Sequence, residues 1–136
     1  MIEQIDHIGI AVPSIEEALP LFRDILGLAY EGDDLVEEQG VRVAFLRAGQ
    51  VMIELLEPTG PDTPVGKFLS RRGPGIHHVA MRTGDIHAAR ERVAGAGVRL
   101  LSDAPRDGAH GKLISFMHPK DTLGVLLELT QRRHEE

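Results

Sequence analysis

The sequence predicts an α+β fold made of two βαβββ modules. Its 136 residues are the length of one domain. Residues 5–12, IDHIGIAV, recur as residues 76–83, IHHVAMRT, and such internal similarity indicates a duplicated structural unit. Each copy continues with an amphipathic stretch and then with short apolar segments between glycine-containing turns, the pattern of a helix followed by strands. We therefore expect a single domain over residues 1–136, with module one at about 1–58, a linker at about 59–74, module two at about 75–131 and a polar tail at 132–136.

The elements of module one follow from alternation and capping. Apolar and polar residues alternate over 5–12, which predicts a strand. Ser14 and Glu17 have the spacing of a capping box at the start of a helix, and Gly27 is a typical helix end. Pro20 lies inside this helix, where it removes a hydrogen bond and should kink the helix or unwind its first turn. Three strands are then predicted at about 28–37, 41–48 and 51–57.

Module two repeats this order after a linker. Proline and glycine mark residues 59–64 as a loop, and a short helix is expected at 65–73. A strand at about 75–83 is followed by a helix that begins after Asp85, a favourable N-cap residue. The remaining prediction is a short strand at 98–101, a loop at 102–111 and strands at 112–117 and 123–130.

Composition excludes several classes of protein. With 15 Lys and Arg against 21 Asp and Glu the formal net charge is −6, which argues against nucleic acid or an anionic membrane as the partner. The absence of cysteine excludes disulfides and thiolate metal sites. No apolar run approaches the ~20 residues of a membrane-spanning helix, and the N-terminus lacks the pattern of a secretion signal. We expect a cytoplasmic protein.

Four polar residues occupy matching places in the repeat. His7 and His78 lie 71 residues apart (78 − 7), and Glu54 and Glu128 lie 74 apart (128 − 54). Strand alternation places each of them on the sheet face away from the helices. A single histidine on a strand is more often a packed or solvated side chain than a ligand, but a glutamate in an apolar strand is costly to bury unless it is paired or bound to a cation. The four together predict one divalent metal site with nitrogen and oxygen ligands, suited to Co, Mn, Ni, Zn or Mg.

The other histidines are weaker candidates for ligands. His77 is adjacent to His78, but it matches Asp6 in the repeat and alternation points it to the opposite face. His87, His110 and His134 are interpreted as surface residues.

The motifs resemble those of the vicinal oxygen chelate (glyoxalase) superfamily, and more closely those of the methylmalonyl-CoA epimerases. The resemblance extends over about residues 4–131 and rests on eight segments in order: IDHIGIAV (5–12), EEQGVRVAFL (37–46), IELLEP (53–58), TPVGKFL (63–69), GIHHVA (75–80), GAHGK (108–112), FMHPKD (116–121) and GVLLELTQ (124–131). It implies a curved sheet of two βαβββ modules around a metal, with methylmalonyl-CoA as the substrate and a homodimer as the assembly.

The resemblance also implies roles for individual residues. The family's metal ligands match His7, Glu54, His78 and Glu128, and its proposed C-terminal base matches Glu128. A second glutamate base proposed in some members falls at Val43, which cannot transfer a proton. We therefore expect Glu54 and Glu128 to transfer protons at the two faces of C2 of methylmalonyl-CoA, with water as the alternative to Glu54. The intermediate would be an enolate that the metal stabilises.

Four cations are candidates for binding the substrate, above all its CoA phosphates: Lys112, Lys120, Arg71 and Arg72. The loop at 108–112 lacks the spacing of a phosphate-binding motif, and the paired arginines are equally consistent with a solvated surface.

Two other functions remain open. A glyoxalase I-like lyase or isomerase would use a similar His/Glu site, and an assay with methylglyoxal and glutathione separates it from an epimerase. A small-molecule-binding resistance protein of the same fold would bind no metal, and elemental analysis separates it.

Overall fold

The structure, a computed structural model, describes residues 1–133. Within that range the chain forms eight strands and three α-helices. In order they are β1 (Ile2–Ala11), α1 (Ile15–Leu19), β2 (Ala29–Val36), β3 (Val41–Ala48), β4 (Val51–Pro58), α2 (Pro64–Arg72), β5 (Gly75–Thr83), α3 (Ile86–Gly95), β6 (Arg106–Asp107), β7 (Leu113–Phe116) and β8 (Leu127–Gln131). Of the predicted tail at 132–136, residues 134–136 lie outside the described range, and His134 with them.

The chain divides into two compact units. The first unit is His7–His77, and the second combines Met1–Asp6 with the chain from His78 onward. The division falls within β1, so the first half of this strand belongs to the second unit. Strand order is β2-β3-β4-β1 in the first unit and β1-β5-β8-β7-β6 in the second. Each order comes from the sequence β-α-β-β-β, which confirms the predicted α+β fold with two modules.

The first unit buries one face of its sheet against α1. The buried cluster combines β1, α1, β3 and β4, and its members are Val12, Ile15, Ala44, Leu46 and Leu55. Leu55 and its neighbour Ile53 point toward this cluster, so alternation along β4 leaves Glu54 on the opposite face.

The second unit repeats this arrangement with α3. Ile86 and Ala89 of α3 pack on Met117 and Leu129, with Leu127 and Leu113 beside them. Because Leu127 and Leu129 face the helix, Glu128 and Thr130 lie on the other face of β8. In both modules the glutamate therefore lies on the sheet face away from the helix, as predicted.

The helices α1 and α3 each begin next to a side chain from the end of the strand that carries a buried glutamate. The amide N–H of Ile15 donates to Oε1 of Glu57 at 2.8 Å, and that of Ile86 donates to Oε1 of Gln131 at 2.7 Å. Glu57 and Gln131 each follow the glutamate of their strand by three residues. These bonds satisfy helix N–H groups that have no partner within the helix and connect the helix to the strand.

Pro20 interrupts the regular helix, but the change is a wider turn after it rather than an unwound first turn. The regular α1 ends at Leu19, and Pro20–Ile25 continue as a wider π-helical turn. The amide of Leu26 donates to the carbonyl of Leu21 at 2.9 Å, five residues back. Proline supplies no N–H for the ordinary bond four residues back, and the wider turn accommodates this loss.

Two predicted strands of module two differ from the structure. No strand forms at 98–101, where Leu100 makes only an isolated bridge to Met117; the strand in this part is β6, inside the predicted loop. The last strand begins at Leu127 rather than at 123, because Leu123 and Gly124 have φ of 63° and 87° and so take the chain out of the extended conformation at two consecutive residues.

Among residues 1–133, no helix is both long and apolar enough to cross a membrane.

Candidate metal centre

The first unit contains a buried pair of a histidine and a glutamate. His7 on β1 and Glu54 on β4 lie on neighbouring parallel strands, with Gly9 opposite Glu54 in the register. Nδ1 of His7 is 3.3 Å from Oε2 of Glu54, and both side chains are buried. Strand pairing and sheet alternation therefore place the two groups together on the face away from α1.

The second unit contains the corresponding pair. His78 on β5 and Glu128 on β8 also lie on neighbouring parallel strands, with Ala80 opposite Glu128. Nε2 of His78 is 3.3 Å from Oε1 of Glu128, and both side chains are again buried. The ring of Phe116 on β7 meets the His78 ring edge to face at a centroid distance of 5.4 Å, which limits the orientations of the imidazole.

The donor atoms of both pairs suit a divalent metal ion. Bonds of about 2.0–2.2 Å to nitrogen and oxygen, at angles between 90° and tetrahedral, separate two ligand atoms by about 3.0–3.4 Å, and both pairs have 3.3 Å. A charge-assisted hydrogen bond would be shorter, near 2.7–2.9 Å. A buried carboxylate also needs a cation or strong donors to be stable. The spacing within each pair therefore fits one nitrogen and one oxygen ligand of a divalent ion.

On β3 and β4 the nearest neighbours of Glu54 on its face of the sheet are apolar. Phe45 of β3 is opposite Glu54 in the register, and Val43 is opposite Leu56. All three apolar residues are buried. Val43 thus lies on the same face as Glu54 and offers no group that titrates.

Lys112, one of the four candidate substrate-binding cations, does not lie on the surface of the protein. It is buried, and its Nζ is 2.9 Å from Oδ2 of Asp6. Arg82 donates to the other carboxylate oxygen of Asp6. Sequence reasoning missed this cluster in the second unit because its partners are far apart in the chain. A charged residue inside the apolar strand at 5–12 was the available signal.

The other three candidate cations are exposed. Arg71 and Arg72 lie in the last turn of α2, where cations interact favourably with the helix dipole, and the guanidinium of Arg72 is 5.5 Å from the centroid of the Phe68 ring. Lys120 lies in the turn after β7, where its amide donates to Nδ1 of His118 at 3.2 Å.

An ion pair ties the turn that contains Lys120 to residue 99. Nε of Arg99 donates to Oδ2 of Asp121 at 2.8 Å, and the amide of Arg99 donates to the same oxygen at 2.9 Å. These hydrogen bonds to Arg99 lower the pKa of Asp121 to about 2.

Residues 6–116 match the model of the glyoxalase/bleomycin resistance protein/dioxygenase superfamily. The chain is 42% identical over 133 residues to an ethylmalonyl-CoA/methylmalonyl-CoA epimerase of Cereibacter sphaeroides, with 96% of this chain and 99% of that protein covered. It is 40% identical over 129 residues to the mitochondrial methylmalonyl-CoA epimerase of Mus musculus, with 94% and 72% covered.

A similar structure leads to the same assignment. The Streptomyces coelicolor methylmalonyl-CoA epimerase in complex with 2-nitronate-propionyl-CoA has a TM-score of 0.95 and 40% identity, and the match covers 98% of this chain and 100% of that one. The chain therefore belongs to the glyoxalase/bleomycin resistance protein/dioxygenase superfamily and, within it, to the family of the methylmalonyl-CoA epimerases.

Proposed function

We propose that this protein is a metal-dependent epimerase that interconverts (2R)- and (2S)-methylmalonyl-CoA. The observation that carries the proposal is the buried His/Glu pair that occurs once in each unit at repeat-equivalent positions. The relatives named above are epimerases of malonyl-type CoA thioesters, and a His/Glu site suits chemistry at a carbon next to a carbonyl.

We infer that His7, Glu54, His78 and Glu128 bind one divalent ion together. The two histidines would supply nitrogen donors and the two glutamates oxygen donors, with the Glu128 carboxylate offsetting part of the charge of the ion. When bound, the ion stabilises the negative charge that develops on the thioester oxygen as C2 loses its proton. The donor set admits Co, Mn, Ni, Zn or Mg.

The proton transfers are assigned to the two glutamates. Glu128, as a carboxylate, accepts the proton from C2 while the C–H electron pair passes to the thioester carbonyl. Glu54, which enters this step as the protonated acid, then donates its proton to the opposite face of C2 as that electron pair returns. Exchange with solvent then restores both carboxyl groups, so turnover incorporates solvent hydrogen. Because Val43 cannot transfer a proton, Glu54 is the candidate acid or base on this face of the first unit. Water is the alternative donor.

Deuterium wash-in tests the reaction. In deuterated buffer the protein should introduce deuterium at C2 of methylmalonyl-CoA and racemise it, and dialysis against a chelator should abolish both. Readdition of a divalent ion should restore both. A protein that converts methylglyoxal and glutathione instead, or that contains no metal after purification from metal-supplemented medium, contradicts the proposal.

The proposal also covers the cations that bind the substrate and the assembly of the protein. We infer that the exposed Lys120, Arg71 and Arg72 attract the CoA phosphates, which predicts a KM that rises with ionic strength. We also infer a cytoplasmic homodimer, and sedimentation of the purified protein checks the assembly.

A further inference from the structure

The second unit contains a buried ionic cluster around Asp6. This carboxylate is 1% exposed, and Oδ1 accepts bonds from Nε and Nη2 of Arg82 at 3.1 and 3.0 Å. Oδ2 accepts from Nζ of Lys112 at 2.9 Å. Buried ion pairs often contribute little to stability, because the cost of desolvation offsets their attraction. A role in binding would explain why three charged groups are brought together here.

Arg82 has donors that the cluster does not use. A guanidinium carries five N–H groups in a rigid fork. Nε and Nη2 bond to Asp6, and no hydrogen bond from Nη1 is found to any residue of 1–133. The Arg82 side chain is 19% exposed, so solvent reaches part of it. Asp6 thus fixes the orientation of the guanidinium and leaves one edge for an anion, the ligand that such a fork binds best.

Arg82 has polar surroundings, whereas the equivalent position of the first unit does not. Arg82 lies on the same face of β5 as His78, and its partner in the register is Thr130 of β8. The Oγ1 atom of Thr130 is buried and finds no hydrogen-bond partner among the described residues. In the first unit the repeat places Ala11 and Leu56 at these two positions, and both are buried and apolar. The second unit therefore has polar residues on the face that carries its His/Glu pair, at positions where the first unit is apolar.

We propose that Arg82 binds an anionic oxygen group of the acyl-CoA ligand, with Asp6 and Lys112 as positioning residues. This inference rests on the proposed function for the identity of the ligand. His78 and Arg82 are four strand residues apart, about 13 Å between Cα atoms, and a long arginine side chain spans part of that distance. The carboxylate of the acyl group and the phosphates of CoA share the required chemistry, and the experiment separates them.

Two substitutions of Arg82 and one matched control test the proposal. Arg82→Lys keeps a cation beside Asp6 but removes the fork, and Arg82→Gln removes the charge. Arg132→Gln is the control, since Nε of Arg132 is 3.7 Å from Oδ1 of Asp6 while its side chain is 48% exposed. Thermal melting and metal content show which variants remain folded and loaded, so that a loss of binding is not confused with a loss of structure.

Three ligands distinguish the source of the anion. KM is measured for methylmalonyl-CoA and for the N-acetylcysteamine thioester of methylmalonate, which lacks phosphates, and calorimetry gives the Kd of propionyl-CoA, which lacks the carboxylate. Both Arg82 variants should bind methylmalonyl-CoA about 10- to 100-fold more weakly, the effect of a lost charge-assisted hydrogen bond, and Arg132→Gln should not. Loss with the truncated thioester assigns the carboxylate, and loss with propionyl-CoA assigns a phosphate.

Unchanged KM and Kd for all three ligands in a folded, metal-loaded Arg82→Lys protein would overturn the inference. A wild-type protein without epimerase activity contradicts the proposed function instead. Calorimetry with propionyl-CoA and with methylmalonate then decides the role of Arg82 independently.

Discussion

At the scale of single residues, the two units share a histidine and a glutamate but differ at neighbouring positions of the same strands. The His/Glu pair is retained in both units with the same 3.3 Å separation. The neighbouring positions differ, since Leu56 in one unit corresponds to Thr130 in the other. Buried carboxylates are retained twice only where a cation offsets their cost, so retention itself supports a role as ligands.

Substitution of the two glutamates distinguishes ligand from proton carrier. Glu54→Gln and Glu128→Gln keep an oxygen donor but cannot transfer a proton at neutral pH. We expect each to lower deuterium wash-in by about 10²- to 10⁴-fold, the usual contribution of a positioned acid or base. Metal content is measured in parallel, because loss of the ion would lower activity for another reason. Full turnover by Glu54→Gln with metal bound would make Glu54 a ligand only, with water as the second proton donor.

The alternation of side chains along a strand predicts which face of the sheet each site residue occupies. Strand periodicity places His7 and Glu54 on the face away from α1, and the repeat extends this to the second unit. The ion pair of Lys112 with Asp6 was not predictable, because it joins residues 106 positions apart. Nothing local in the sequence reports which distant side chain a buried carboxylate meets.

At the scale of elements, the starts of α1 and α3 each depend on a side chain from a neighbouring strand. Glu57→Ala and Gln131→Ala remove the acceptors of the Ile15 and Ile86 amides. Each should lower the free energy of unfolding by about 0.5–2 kcal/mol, the range for loss of a helix N-cap. Urea denaturation measures the change. Glu57→Gln is the control, since it keeps an acceptor oxygen. If it lowers the free energy of unfolding as much as Glu57→Ala does, the hydrogen bond to the Ile15 amide does not stabilise the helix.

The turn after β7 should lose an ion pair in acid. The pKa of Asp121 is lowered from 3.8 to about 2 by its hydrogen bonds to Arg99, so the folded state favours the ionised carboxylate. The stabilisation is complete above the ordinary pKa and disappears as pH falls through the lowered one. We expect Tm of Asp121→Asn to be below that of the wild type at pH 6 and the difference to shrink between about pH 4 and pH 2. A difference independent of pH would contradict the assignment.

The limits of prediction at this scale lie in module two. Strong periodicity and capping located β1, α3 and the strands of the first unit to within a few residues. The segment at 98–101 is apolar like a strand and packs on the core of the second unit, yet its backbone pairing with the sheet is limited to one bridge at Leu100. Whether an apolar segment pairs depends on the backbone partners that the rest of the fold leaves for it, and sequence periodicity contains no information on this.

At the scale of the whole molecule, the number of metal ions tests whether both units serve one site. Two protein donors in one pair bind a divalent ion weakly, whereas four can bind it tightly. We predict one ion per chain, and we predict that His7→Ala and His78→Ala each remove most of it. His77→Ala is the matched control, because His77 packs against Phe68 with ring centroids 5.1 Å apart. Two ions per chain, with one lost in each variant, would show two separate half-sites.

Thermal stability should depend on the same ion. A free ion concentration of about 100 times Kd stabilises the folded state by about 2.7 kcal/mol. For a chain of this length that corresponds to a rise in Tm of roughly 8–13 °C. A chelator should therefore lower Tm of the wild type by this amount and leave His7→Ala and His78→Ala nearly unchanged. The linkage follows because unfolding separates ligands that come from four different strands, so the ion binds the folded chain alone. A Tm of the metal-loaded wild type that does not respond to the chelator would contradict an ion bound by all four residues.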